Sequence, residues 1–254
     1  MRILVTNDDG IHAPGLKVLE AIARQLSDDV YVVAPETDQS GVSHSLSLND
    51  PLRLREISPN HFAVKGTPTD CVIMGIKHIL REKQPDLVLS GVNRGQNVAE
   101  DITYSGTIAA AMEGTILGVK SIAMSQAYHF GSHEGIDWSC AEAHGAETIR
   151  KVLAIGIERG ILVNINFPAC KPADVAGIAV SVQGQRNQAL LDVDKRNDGR
   201  GNPYYWLAFA RGRITPAEGT DLHALIDRKI SITPLRLDLT DLPSVTRYAE
   251  ALGN

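Results

Sequence analysis

The chain has 254 residues, 43% of them apolar and 22% charged, with a net charge of −5. That size suits one large domain or one domain with an appendage, and the charge excludes the basic footprint of a nucleic-acid binder. No apolar run approaches the ~20 residues of a membrane span, and Cys71, Cys140 and Cys170 have neither zinc nor disulfide spacing. We therefore expect a soluble, cytoplasmic protein with no leader, no membrane partner and buried, reduced thiols.

Ile3-Leu4-Val5-Thr6 reads as a short buried strand, closed by Asn7-Asp8-Asp9-Gly10. In an open parallel sheet, ligands gather at the carboxyl ends of the strands. Adjacent carboxylates repel unless a cation lies between them, and hard divalent ions prefer oxygen ligands. The plain alternative is a solvated turn, where Asp and Gly are common. Next comes a helical pattern through Leu16, Leu19, Ala23 and Leu26, then a strand at Val30–Ala34 closed by Pro35. Strand, helix and strand make a right-handed βαβ unit. The following loop, residues 35–45, is dense in hydroxyls and includes Ser40. It reads either as a solvated loop or as a source of hydroxyl ligands and phosphate contacts.

Alternating leucines from Leu46 to Ile57 predict an extended hairpin arm, followed by a short strand at Ala63-Val64-Lys65. Thr67-Pro68-Thr69-Asp70 has the residues of a helix start, and capping alone explains it. Pro85–Ser90 is a third buried strand, and Gly91-Val92-Asn93-Arg94-Gly95-Gln96-Asn97 follows. Glycines allow close backbone approach, and Asn offers oxygen to a metal or N–H to a phosphate. Arg94 reads either as a phosphate clamp or as a surface cation. Ser105-Gly106-Thr107 opens an alanine-rich helix and is placed to bind an anion.

Ser121–Ser125 is a fourth buried strand. His129 and His133 have a spacing that binds metal only on a helix, and Gly131-Ser132 argues against one, so they read as loop histidines. Asp137 is placed to cap a helix over residues 138–156, and a strand follows at Leu162–Pro168. The character then changes. A β run at Ala176–Val182 leads into a polar stretch, Gln183–Pro203, and an aromatic one, Tyr204–Phe209. Together they predict a protruding hairpin whose aromatic half needs a partner subunit. Thr220-Asp221 starts a short helix, Ile230–Pro234 is a late strand, and Asp241–Leu252 is a terminal helix expected to pack back on the core. The expected division is a catalytic core at 1–170 and an extension at 171–254.

Four oxygen-rich turns thus fall at one sheet edge: the Asp8-Asp9 turn, the Ser40 turn, the Asn93–Asn97 stretch and Ser105-Gly106-Thr107. Together they point to an all-oxygen metal site facing a phosphate pocket. The segments NDDGIHAPG, APETDQSG, KGTPTDCV, SGVNRGQN and YSGTIAAAMEG, with a weaker SITPL, also resemble the SurE family of survival proteins. The resemblance implies an α/β fold with a Rossmann-like, doubly wound, mostly parallel sheet and a C-terminal extension exchanged within a homodimer or homotetramer. It implies a 5′-nucleotidase acting on nucleoside monophosphates, with 3′-nucleotides and short polyphosphate as further candidates. It places one divalent cation per subunit, Mg²⁺ or Mn²⁺, on Asp8, Asp9, Ser40 and Asn93, with Asp8 and Asp9 catalytic. Asn97, Ser105, Gly106 and Thr107 fall on its phosphate pocket. A nucleotide sensor without turnover has no need of the paired Asp8 and Asp9. A metal-dependent glycosyltransferase needs an acceptor domain, and an NAD enzyme needs the glycine fingerprint missing from the first turn.

Overall fold

β1, Ile3–Thr6, is buried along its whole length and lies near the middle of a nine-stranded sheet. Such a strand has no polar face, so both of its sides need cover. The computed structural model describes residues 1–128, 135–186, 191–209 and 215–253. Around β1 stand β2 (Val30–Pro35), β3 (Arg53–Ser58), β4 (His61–Lys65), β5 (Leu87–Arg94), β6 (Lys120–Gln126), β7 (Ile161–Phe167), β8 (Ile178–Val180) and β11 (Ile230–Arg236). Their order is β3-β4-β2-β1-β5-β6-β7-β11-β8. The strands from β4 to β7 in that order run parallel, while β3 and β11 pair antiparallel with β4 and β7. The sheet is therefore mostly parallel, as expected.

The two-residue alternation of the strands sorts the core onto two faces. Ile3 and Val5 pack with Leu16, Leu19 and Ile22 of α1 (Pro14–Arg24) and with Ala141 and Ile149 of α4 (Ser139–Ile155). Leu4 packs on the other side with Cys71 and Val72 of α2 (Pro68–Met74) and Ala110 of α3 (Gly106–Ile116). Thr67 caps α2 and exchanges hydrogen bonds with Asp70, so the Thr-Pro-Thr-Asp stretch is accounted for by its helix start.

Several local expectations change. The leucine alternation starts too early: the strand begins only at Arg53, and Leu46 and Leu48 are exposed. β5 runs past Ser90 to Arg94, with a register shift against β6 between Ser90 and Asn93. The Ala176–Val182 run contributes only the three-residue β8. α4 starts after Trp138, and Asp137 Oδ1 accepts a hydrogen bond from Ser139 N, at 3.0 Å.

The predicted hairpin is present. β9 (Leu191–Asn197) and β10 (Pro203–Phe209) form a separate antiparallel ribbon. Tyr204, Tyr205, Trp206 and Leu207 on it are exposed. Thr220 caps the short α5, Asp221–Ile226, and the late strand joins the main sheet as β11. The terminal helix α6, Leu242–Leu252, does not pack back on this chain's core: it has no buried residue, and Leu242, Val245, Tyr248 and Leu252 face outward. Its apolar stripe lacks a covering surface among the described residues. His129 and His133 lie outside the described residues. Among the described residues no helix is long and apolar enough to cross a membrane.

Candidate active site

Hydrogen bonds tie the four turns together at the carboxyl edge of the sheet. Gln39 N donates to Asp8 O at 2.8 Å, which joins the Ser40 turn to the first strand's turn. Gly10, at φ +101°, rests against the backbone of Thr37 and Asp38, so the glycine allows both the turn and the close approach. Arg94 N donates to Asp9 Oδ2 at 3.2 Å, which brings the end of β5 to the second carboxylate. Thr107 Oγ1 donates to Asp8 Oδ1 at 2.6 Å, which brings the start of α3 to the first.

Burial and repulsion from neighbouring carboxylates raise both Asp8 and Asp9. Asp8 is 4% exposed. Its carboxyl is pushed up to about 7, chiefly by burial and further by Asp9 and Asp38, against the opposing Thr107 hydrogen bond. Asp9 is also raised, chiefly by burial and by Asp38, while the Arg94 N–H and guanidinium pull it down.

This sets a pH dependence for the metal-free protein. The folded state holds the Asp8 proton more tightly than the unfolded chain does. The contribution of Asp8 to stability is therefore greatest below the ordinary carboxyl value of 3.8 and falls as pH rises toward about 7. Between pH 5 and pH 8 the expected loss is about 3 kcal/mol, and a divalent cation bound here is expected to reverse it. Thermal melts in chelator and in Mn²⁺ from pH 5 to pH 8 check this. A chelated melting temperature that rises across that range contradicts it.

The donor set fits a hard cation. Asp8 Oδ1 is held by Thr107 and Asp9 Oδ2 by Arg94 N, so each carboxylate has its other oxygen available to a ligand. Asn93 Nδ2 donates to Gly95 O at 2.8 Å, which turns its amide oxygen the other way. Ser40 Oγ donates to Asp38 Oδ1 at 2.6 Å and keeps its lone pairs. Among the described residues no three His, Cys, Asp or Glu side chains are grouped to hold a metal. A cation here needs the hydroxyl and amide oxygens to complete its shell, as Mg²⁺ or Mn²⁺ accepts. Asn7 Oδ1, in the same turn, is a further buried acceptor without a partner among the described residues.

The candidate anion side is the start of α3. Ser105 Oγ accepts from Ile108 N at 3.1 Å and caps the helix. The N–H groups of Gly106 and Thr107 belong to the first turn, which has no intrahelical acceptors for them. A Cβ on Gly106 would lie 2.7 Å from Asp8 Cβ, so the helix start abuts the carboxylate turn. Asn97 is buried, and its Nδ2 donates to Ser125 Oγ at 3.0 Å. The Arg94 side chain is exposed and its backbone N–H makes the contact, in keeping with the surface reading.

Ser40 and Asn93 are not hydrogen-bonded to the carboxylates. The Ser40 turn is joined to the first carboxylate's turn through Gln39 N on Asp8 O, and Asn93 to the second carboxylate through the neighbouring Arg94 N. Sequence reasoning missed Asp38, which accepts from both N and Oγ of Ser40 at 2.7 and 2.6 Å. It also passed over Asn164 and Asn166. Their signal was available: two amides in a run of otherwise apolar strand residues.

A family model described as survival protein SurE matches residues 3–189. A curated relative from Methylorubrum populi, named 5′-nucleotidase SurE, is 72% identical over 251 residues and covers 99% of each chain. One of the same name from Rhodopseudomonas palustris is 64% identical over 255 residues and covers 100% of each. The crystal structure of Sure protein from Aquifex aeolicus matches over 100% of both chains with a TM-score of 0.85 and 41% identity.

Proposed function

The chain belongs to the SurE family, and from that premise we infer that it is a 5′-nucleotidase, hydrolysing nucleoside 5′-monophosphates to nucleoside and phosphate. One observation carries this reading. The hydrogen bond from Thr107 to Asp8 places a helix N-terminus directly beside paired carboxylates. That juxtaposition offers an anion site and a cation site for one phosphoryl group.

Asp8, Asp9, Ser40 and Asn93 are the residues to hold one divalent cation, Mg²⁺ or Mn²⁺. When bound, the cation polarises the phosphoryl group and lowers the pKa of coordinated water. The N–H groups of Gly106 and Thr107, with Ser105 and Asn97, hold the non-bridging oxygens and stabilise charge as it shifts. Thr107 also fixes the rotamer of Asp8 through its hydroxyl. Asp9 is less buried than Asp8, and its carboxylate is the one placed to orient attacking water.

Residues 1–170 form the catalytic unit in this reading, and residues 171–254 serve assembly. The exposed aromatics of the β9–β10 ribbon, Tyr204, Tyr205 and Trp206, suit self-association as a homodimer or homotetramer. Free, buried Cys71 and Cys140 suit the reducing cytoplasm.

The test is phosphate release from nucleoside 5′- and 3′-monophosphates and short polyphosphate, with Mg²⁺, Mn²⁺ or chelator. Light scattering on the same preparation gives its mass. The expected result is release from 5′-monophosphates that stops with chelator, by a dimer or tetramer. A folded protein that binds nucleotide yet releases nothing with either metal is a binding module instead.

A further inference from the structure

Asn164 and Asn166 stand in β7, and both are fully buried. A buried amide costs free energy unless its donors and acceptor are bonded. These two amides both turn to a single residue, 67 and 69 positions earlier in the chain. Asn97 N donates to Asn166 Oδ1 at 2.8 Å. Asn97 O accepts from Asn164 Nδ2 at 2.8 Å and from Asn166 Nδ2 at 3.1 Å. With Nδ2 on Ser125 Oγ at 3.0 Å, both the backbone and the side chain of Asn97 are held. Ser125 in turn pairs with Asn93 on one side and Asn166 on the other in the sheet register. A polar row across β5, β6 and β7 thus connects the cation side of the site to the phosphate side.

We propose that Asn164 and Asn166 are positioning residues that fix Asn97, with Ser125, at a set place relative to Asn93. The role given to Asn97 rests on the nucleotidase reading. The segment would not hold this shape alone. Ala99 has φ +52°, a region that non-glycine residues seldom adopt and that persists only where the surroundings enforce it. Asp221 Oδ2 accepts from Ala99 N at 2.9 Å and secures the segment from the other side. Asn164 Oδ1 is a buried acceptor with no partner among the described residues. An apolar side chain would remove that unsatisfied acceptor, so the amide is placed for its donor to Asn97 rather than for the stability of the strand.

The experiment compares Asn166→Ala, Ser125→Ala, Asn97→Ala and the Asn97→Ala/Asn166→Ala double variant. It reads kcat/KM on a nucleoside 5′-monophosphate, the dissociation constant of inorganic phosphate by direct titration, Mn²⁺ affinity and thermal melting. Asn166→Ala is expected to weaken phosphate binding and lower kcat/KM, each about tenfold or more, with Mn²⁺ affinity held within about twofold. In the Asn97→Ala background the same change adds little, because the two residues act as one unit. Ser125→Ala, which removes one hydroxyl, acts in the same direction without loss of folding. Multiplying effects of Asn97→Ala and Asn166→Ala overturn the proposal, as does unchanged phosphate binding in folded variants. If Asn166→Ala does not fold, Ser125→Ala decides by the same phosphate titration. A wild type that binds phosphate but cleaves no nucleotide removes the nucleotidase reading, and the titration still judges the clamp.

Discussion

Asp8→Asn lowers metal-dependent phosphate release by about a thousandfold or more, and in chelator at pH 8 the variant melts at a higher temperature than the wild type. The two halves of this result have one cause. Asp8 is a nearly fully buried carboxylate beside Asp9, with Asp38 adding to the repulsion. Without a cation its charge is uncompensated, and it destabilises the fold above about pH 7. Asn has the same shape and still accepts the Thr107 hydroxyl, so packing is kept while the buried charge is removed. The charge that burdens the metal-free fold is the charge proposed to hold the cation. Activity, Mn²⁺ affinity and melting in chelator therefore move together, the first two down and the third up. A variant that keeps activity within tenfold of wild type removes Asp8 from the metal site. One that loses activity but also melts lower in chelator makes Asp8 a structural residue.

The parts of this site that were legible in the sequence are those whose chemistry is local. Asn7-Asp8-Asp9-Gly10 announces a turn at a strand end, and Ser105-Gly106-Thr107 a helix start, because capping and turn geometry are satisfied within a few residues. The alternation of Ile3, Leu4 and Val5 likewise reports a strand buried on both faces. The same rule failed at Leu46 and Leu48, where alternation exists but no strand among the described residues pairs with it. Gly91 reads as a strand terminator, yet it lets β5 pass close beside β6: a Cβ there would lie 2.2 Å from Met124 O. The amides of Asn164 and Asn166 carry no local signal of their target, since their partner is 67 and 69 residues away. Asp38 reads as an ordinary turn residue until the fold brings it beside Asp8 and Asp9. The face that α6 requires is not in this chain's core, so no pattern within the helix could name it.

Gly106→Ala has the second large effect expected at this site, and its direction opposes helix propensity. Alanine is better than glycine in a helix by roughly 0.5–1 kcal/mol, so propensity alone predicts a more stable α3. The position does not admit the methyl group. Its Cβ would lie 2.7 Å from Asp8 Cβ, 3.1 Å from Asp8 Oδ2 and 3.1 Å from Pro68 Cγ. The nearest of these, Asp8 Cβ, is attached directly to the backbone, and Pro68 Cγ belongs to a ring closed on the backbone. Asp8 lies two residues past the end of the buried β1, and Pro68 is the first residue of α2. The start of α3 has to move away from Asp8, which lengthens the Thr107 to Asp8 hydrogen bond and shifts the first-turn N–H groups from the phosphate position. A displacement of a few tenths of an ångström to an ångström at a preorganised site costs about a hundredfold in kcat/KM. Phosphate binding is expected to weaken more than Mn²⁺ binding, because the other proposed cation ligands, Asp9, Asn93 and Ser40, lie in the turn after β1, in β5 and in the Ser40 turn. Steady-state kinetics with phosphate and Mn²⁺ titrations measure all three quantities. Wild-type kcat/KM in this variant would detach the start of α3 from the chemistry and leave the carboxylates without the anion partner assigned to them.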